Sequence, residues 1–208
     1  MDNTHRINSI ASAVHERITP GAARLLVAVA GAPGSGKSTI ATELARRLND
    51  QRLVTRVVPM DGFHLDNQVL AELGLTARKG APETFDAAGF GDLLRRLKDR
   101  SAPAYAPVFD RTRDISIGGA VRIEEAVDVV VVEGNYLLLD EPDWQPLHDL
   151  WDLTVKLEVD LAEIRGRLIQ RWLSHGLSRT AATRRAESND IPNAKRVIEH
   201  SIASDLTV

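Results

Sequence analysis

The run Val27-Ala-Val-Ala-Gly-Ala-Pro-Gly-Ser-Gly-Lys-Ser-Thr39 constrains this chain more than any other, because it joins an apolar strand to a helix through the pattern G-x-x-x-x-G-K-S. Glycines at 31, 34 and 36 let the backbone take positive φ and turn its N–H groups inward, where side chains would crowd an anion. The pattern reads as a phosphate cradle for a nucleoside triphosphate, formed by Gly31, Ala32, Pro33, Gly34, Ser35, Gly36, Lys37, Ser38 and Thr39. Lys37 is expected to reach the β- and γ-phosphates and Ser38 to bind Mg²⁺, with the dipole of the following helix aimed at the same charge.

The flanks agree with that loop. Leu25, Leu26, Val27 and Val29 make a buried strand over 24–30, and Ile40, Leu44, Ala45 and Leu48 recur at helical spacing. Upstream, Ile7, Ile10, Ala11, Val14 and Ile18 predict an amphipathic helix that stops at Thr19-Pro20-Gly21. Downstream, the pattern predicts strands over 52–60, 128–132 and 153–159, and helices over 86–100, 161–174 and 178–187. Residues 62–82 read as irregular, Ile115–Ile123 as a small hairpin turning at Gly118-Gly119, and 206–208 as a short terminal strand. Strands alternating with helices give an α/β fold: a three-layer phosphate-loop NTPase architecture with a mostly parallel central sheet flanked by helices. Gly31–Ser38, Asp61 and Glu133 each follow a predicted strand, so this fold would gather them at the carboxyl edge of the sheet.

With 208 residues, 43% of them hydrophobic, the chain is expected to form one domain over 1–208, with lid and acceptor elements near 62–82, 103–123 and 161–175. Its 26 basic and 29 acidic residues are interspersed, which argues against a nucleic-acid partner. No cysteine is present, so disulfides, thiolate metal sites and a cysteine nucleophile are excluded. The N-terminal stretch lacks a signal-peptide pattern and no apolar run approaches ~20 residues, so a cytoplasmic protein without membrane insertion is expected. His5, His15, His148, His175 and His200 are scattered without zinc-ligand spacing.

The chain contains neither N-K-x-D for guanine nor the L-S-G-G-Q of transport ATPases, and both omissions favour a small-molecule kinase using ATP and Mg²⁺. Glu133, closing an apolar strand, is either a carboxylate near the Mg²⁺ held by Ser38 or a solvated strand end. Asp61 is either the group that orients an acceptor hydroxyl and takes its proton, or a strand-end cap. On the first readings Asp61, Lys37 and Glu133 form the catalytic set.

Met60-Asp-Gly-Phe-His-Leu-Asp-Asn67, Gly74-Leu75, Arg78-Lys-Gly-Ala-Pro-Glu-Thr-Phe-Asp86 and Val131-Val-Glu-Gly-Asn-Tyr136 resemble the uridine kinase, phosphoribulokinase and bacterial pantothenate kinase superfamily. Within it the chain is similar to the branch called fructose transport system kinases, and the likeness runs from the phosphate loop to the Asn193 region. The resemblance implies that Asp61 activates the acceptor hydroxyl and that Glu133 lies near Mg²⁺. It assigns acceptor contacts to Asp61, Phe63, His64, Arg78, Lys79, Tyr105, Phe109 and Arg111, and lid roles to Arg165, Arg167 and Arg171. Arg78 and Lys79 either recognise an anionic acceptor or line a basic loop, and 105–111 is either a pocket wall or a surface loop. Asn189–Asn193 is assigned to the adenine site, and a homodimer is admitted by analogy.

The expected function is transfer of the γ-phosphoryl group of ATP to a hydroxyl of a small metabolite such as a sugar, nucleoside or pantothenate-like acceptor. The competing expectation is a nucleotide-dependent binding module acting on a transporter or another protein.

Overall fold

In the computed structural model, which describes residues 2–19 and 23–208, the apolar run before the phosphate loop becomes the middle strand of a five-stranded sheet. Along the chain, helix α1 (Asn3–Arg17) precedes strand β1 (Leu25–Gly31), and the loop leads into α2 (Lys37–Asp50) and β2 (Thr55–Pro59). After α3 (Asn67–Glu72) and α4 (Ala87–Lys98), strands β3 (Ala104–Asp110) and β4 (Ile115–Ile123) form a separate two-stranded sheet. The sheet resumes with β5 (Val129–Gly134) and β6 (Leu153–Leu157), then come α5 (Leu161–Ser174), α6 (Arg179–Arg185), α7 (Ile191–His200) and the short β7 (Leu206–Thr207).

The strand order is β2-β5-β1-β6-β7, and every pairing in this sheet is parallel. Every residue of β1 and β5 is buried, as a strand covered on both faces requires. The alternation hidden in β1 now shows. Leu25, Val27 and Val29 pack with Ile10, Val14, Ile40 and Leu44 of α1 and α2, whereas Leu26, Ala28 and Ala30 pack with Phe90, Leu94 and Leu168 on the other face. Arg24, 1% exposed, donates hydrogen bonds to the carbonyls of Val127, Leu97 and Glu124, tying the start of β1 to the end of α4. Because β2 and β5 extend the sheet to one side of β1 and β6 and β7 to the other, a crevice opens at the carboxyl end of β1.

Several expectations are corrected. Ile115–Ile123 is not a hairpin but one strand, paired antiparallel with β3. The turn lies at 111–114, where the Asp110 carboxylate accepts from the N–H groups of Thr112 and Arg113, and Asp114 takes φ +57°. Gly118 and Gly119 sit at an irregularity opposite Pro107, where Ile117 pairs with Val108 and Val121 with Ala106. Pro107 has no N–H to give the ladder, and Gly119 takes φ +66°. The 62–82 stretch contains α3, capped by the Asp66 carboxylate on Gln68 N–H, and two 3-10 turns over 76–78 and 82–84.

The helix expected over 178–187 runs as α6, a π turn over 186–190 and then α7, whose first turn accommodates Pro192 because no helical N–H is needed there. The second strand begins at Thr55 rather than 52, since Arg52 takes φ +67° in the turn before it. Helix α1 ends at Arg17, and the expected Pro20-Gly21 stop lies outside the described residues. Leu206–Thr207 does join the sheet, pairing with Val155 and Lys156. No helix among the described residues is long and apolar enough to cross a membrane.

Candidate active site

Gly34 and Gly36 take φ +83° and +93°, turning the loop tightly before α2. At its mouth the helix N-cap is Gly36, whose lack of a side chain leaves the first-turn N–H groups of α2 open to an anion. Lys37, the first residue of α2, is buried, and burial pulls its ammonium below the usual lysine range even though Glu133 and Asp61 oppose the shift. From the neighbouring strand, Glu133 is pushed up by burial, with Lys37 and a hydrogen bond from Ser38 acting against that shift. Ser38 Oγ donates to Glu133 Oε1 at 3.1 Å.

That pair bears on Mg²⁺. Among the described residues no group of three or more His, Cys, Asp or Glu side chains is arranged to hold a metal ion alone. A hydroxyl and a single carboxylate at the mouth of the loop nevertheless suit a Mg²⁺ that takes its other ligands from phosphate oxygens and water. The buried Ser35 hydroxyl, without a hydrogen-bond partner, belongs to the same loop.

Asp61 stands in a 3-10 turn, Met60–Phe63, directly after β2, and its carboxylate forms an ion pair with Arg111 from the turn between β3 and β4. Gly62 makes that approach possible, because a Cβ there would lie 2.4 Å from the Pro107 carbonyl oxygen. His64 Nδ1 donates to the Asp61 carbonyl at 2.7 Å, since a carbonyl oxygen only accepts, so neutral His64 keeps the lone pair on Nε2. Its ring lies 4.1 Å from that of Phe85 and 4.4 Å from that of Phe109, and burial holds its pKa below the usual histidine value.

Lys79 donates to Asn67 Oδ1 at 2.7 Å, pairs with Asp114 at 3.0 Å and lies 5.1 Å from the Phe109 ring centroid. The loop carrying Lys79 is tied down from behind, by Tyr136 donating to the Gly80 carbonyl and Asn189 to the Lys79 carbonyl. Opposite stand Arg171 and Trp172 of α5, His175 at its C-cap, Arg185 of α6, and Asp190. Trp172 Nε1 donates to Asp190 Oδ2 at 2.5 Å, and Arg171 lies 3.9 Å from the same carboxylate.

Lys37, Asp61, His64, Asn67, Lys79, Arg111 and Asp114 face Arg171, Trp172, Arg185 and Asp190 across one cavity of about 790 Å³. Of the expected acceptor contacts, Asp61, His64, Lys79, Phe109 and Arg111 line it. Phe63 instead packs on Phe90 with ring centroids 5.0 Å apart, Tyr105 is 49% exposed on β3 opposite Arg122, and Arg78 is held by Glu83 at 3.0 Å.

The three lid arginines also separate. Arg171 faces the cavity, while Arg167 donates to the Gly34 and Ser35 carbonyls at 3.1 and 3.2 Å, gripping the loop from outside. Arg165, about 200° around the helix from Arg167, pairs with Glu187 away from both. Asp190 and Asn193, from the segment assigned to adenine, line the same cavity as Asp61. A second cavity of about 800 Å³ lies beyond Arg167, walled by Ala32, Leu157, Val159, Leu161 and Ile198.

The sequence reading did not assign Asn67, Asp114, Asn135 or Arg185 to the site. Asn67 and Asn135 stood inside the quoted motifs, whereas Asp114 and Arg185 left no signal beyond being charged residues in a turn and on a helix.

A family model described as phosphoribulokinase / uridine kinase family matches residues 26–203. A candidate uridine kinase of Schizosaccharomyces pombe is 34% identical over 196 residues, covering 89% of this chain and 83% of its own length. A pantothenate kinase of Parvibaculum lavamentivorans is 38% identical over 162 residues, covering 72% of this chain but 48% of its own. The crystal structure of a candidate fructose transport system kinase from Silicibacter sp. TM1040 is 48% identical, with a TM-score of 0.93 over 97% of this chain and 98% of that one.

Proposed function

Because the chain belongs to the phosphoribulokinase / uridine kinase family and is a small-molecule kinase, we propose that it transfers the γ-phosphoryl group of ATP to a hydroxyl of a small metabolite, with Asp61 as the acceptor base. The observation that carries this reading is the shared cavity: Lys37, after β1, and Asp61, after β2, line one space from the ends of the two strands that flank β5. In this reading the loop N–H groups and Lys37 hold the triphosphate, and Asp61 orients the acceptor hydroxyl and takes its proton as the oxygen bonds to the γ-phosphorus. The bond from that phosphorus to the β–γ bridging oxygen breaks, and ADP leaves with the electron pair.

Ser38 and Glu133 would hold Mg²⁺, which supplies positive charge to the β- and γ-phosphate oxygens. Arg171 adds charge from the helix side, and Arg167 fixes the loop by its outward carbonyls. Arg111 keeps the Asp61 carboxylate in place until an acceptor arrives, and His64 Nε2 can accept a hydrogen bond from a second acceptor group. The cavity beyond Arg167, of mixed polar and apolar lining, offers the nucleoside a wall of Leu157, Val159 and Leu161.

The test is ADP release with Mg-ATP against sugars, nucleosides, pantothenate and related hydroxy acids, run beside Asp61→Asn. The expected result is stimulation well above basal by one acceptor, and a loss of roughly 10²–10⁴-fold in the variant with ATP affinity retained. A flat panel from protein that binds Mg-ATP overturns the transfer reading in favour of a nucleotide-dependent switch. Full acceptor phosphorylation by a folded Asp61→Asn protein removes Asp61 from the role.

A further inference from the structure

We infer that the acceptor carries an anionic group, a carboxylate or a phosphate monoester, beside its reacting hydroxyl, and that Arg185 is the residue that holds it; this rests on the transfer reading above. Among the described residues two arginine or lysine side chains lining the cavity, Lys37 and Arg185, have no carboxylate within ion-pair distance, and Lys37 is already accounted for as the lysine of the phosphate loop. Arg111 pairs with Asp61, Lys79 with Asp114 at 3.0 Å, and Arg171 stands 3.9 Å from Asp190. Lys37 makes no ion pair but feels the opposing charges of Glu133 and Asp61. Arg185 lies within ion-pair distance of no carboxylate among the described residues. Among the described residues its guanidinium makes only one hydrogen bond, a long one from Nη1 to the Ala77 carbonyl at 3.5 Å, and lies 5.3 Å from the Trp172 ring centroid.

Arg185 closes α6 where the π turn carries the helix on toward α7, and it is turned inward to line the cavity. The aromatic face fixes the guanidinium, and the Ala77 contact sets it against the acceptor segment rather than the phosphate loop. A held, planar fork of donors with an unneutralised charge is the recognition element for a carboxylate or phosphate. Closing the cavity over a neutral acceptor would instead bury that charge unpaired.

Two other groups complete the description. Asn135 and Asn193 both line the cavity, and the buried Oδ1 of each has no hydrogen-bond partner. These are acceptors waiting for donors, which the hydroxyls of a polyhydroxylated anion provide. The occupant that satisfies all three residues is a small hydroxylated acid or a phosphorylated polyol.

The experiment measures Mg-ATP-dependent phosphorylation of matched series that differ only in charge: glycerol, glycerate and glycerol 3-phosphate, and a hexose with its hexonate and its hexose phosphate. Wild type, Arg185→Gln and Arg185→Lys are compared, with the Kd for Mg-ATP measured on each. One charged member should exceed its neutral counterpart at least tenfold in kcat/KM, the carboxylate and phosphate arms showing which anion is taken. Arg185→Gln should abolish that preference through a raised KM, Arg185→Lys should restore part of it, and the Kd for Mg-ATP should stay within about twofold.

Preference for the neutral member overturns this inference and leaves the kinase reading intact. A preference that survives in Arg185→Gln, or a variant whose main loss is in Mg-ATP affinity, removes Arg185 from the acceptor site. Phosphorylation of no compound in either series or in the wider panel above overturns the transfer reading itself, and this inference with it.

Discussion

His64 shows how a single buried group links the site to stability. Packed between Phe85 and Phe109 and faced by Asp61, Lys79, Arg111 and Asp114, it is held neutral chiefly by burial. Its folded pKa is therefore lowered from the unfolded value of about 6.5. Below that value the unfolded chain binds a proton that the folded chain refuses, so stability is lost as pH falls through about 6.5 toward the lower folded pKa. The expected outcome is a larger fall in Tm for wild type than for His64→Gln when the buffer goes from about pH 7.5 to about 5.5. Parallel Tm curves would show that His64 is not buried as a neutral group. The sequence marked His64 as an acceptor contact beside Asp61; its tautomer is set by the Asp61 carbonyl, and its stack depends on Phe109 of β3 and Phe85.

At the level of elements, the β3–β4 hairpin is the piece the sequence misplaced and the site most needs. Its turn delivers Arg111 and Asp114 into the cavity, and its backbone rests on Gly62. Gly62→Ala would put a Cβ 2.4 Å from the Pro107 carbonyl oxygen and 2.6 Å from its carbon, and neither backbone atom can swing aside. The hairpin must shift, which separates Arg111 from Asp61. We expect kcat/KM to fall at least tenfold, alongside destabilisation of about 1–3 kcal/mol, read by steady-state assay and thermal melt. Activity within twofold of wild type would mean that the hairpin does not set the geometry at Asp61. Gly118-Gly119 misled the reading because paired glycines mark bulges as well as turns, and only the partner strand reveals that Pro107 is opposite.

Across the whole molecule, the cavity draws residues from both sides of β1, so a ligand that fills it ties the sheet to α5 and α6. Mg-ATP at about 100 times its Kd should stabilise the protein by about 2.7 kcal/mol, a rise in Tm of roughly 5–11 °C for a chain of this size. Lys37→Ala should lose most of that shift, and an equal shift in wild type and variant would show that Mg-ATP binds elsewhere. The sequence by itself determined the parallel sheet, the phosphate loop with its helix, and the placing of Asp61 and Glu133 at strand ends. Those features follow from local period, glycine placement and the rule that strand termini converge. Only the tertiary structure decided which arginines matter: Arg165 turns to Glu187, Arg167 grips the loop from outside, and Arg171 and Arg185 face the cavity. Arginines on neighbouring helices look alike along a chain, and what separates them is which carboxylate, carbonyl or open space lies opposite, a matter of packing between segments far apart in sequence.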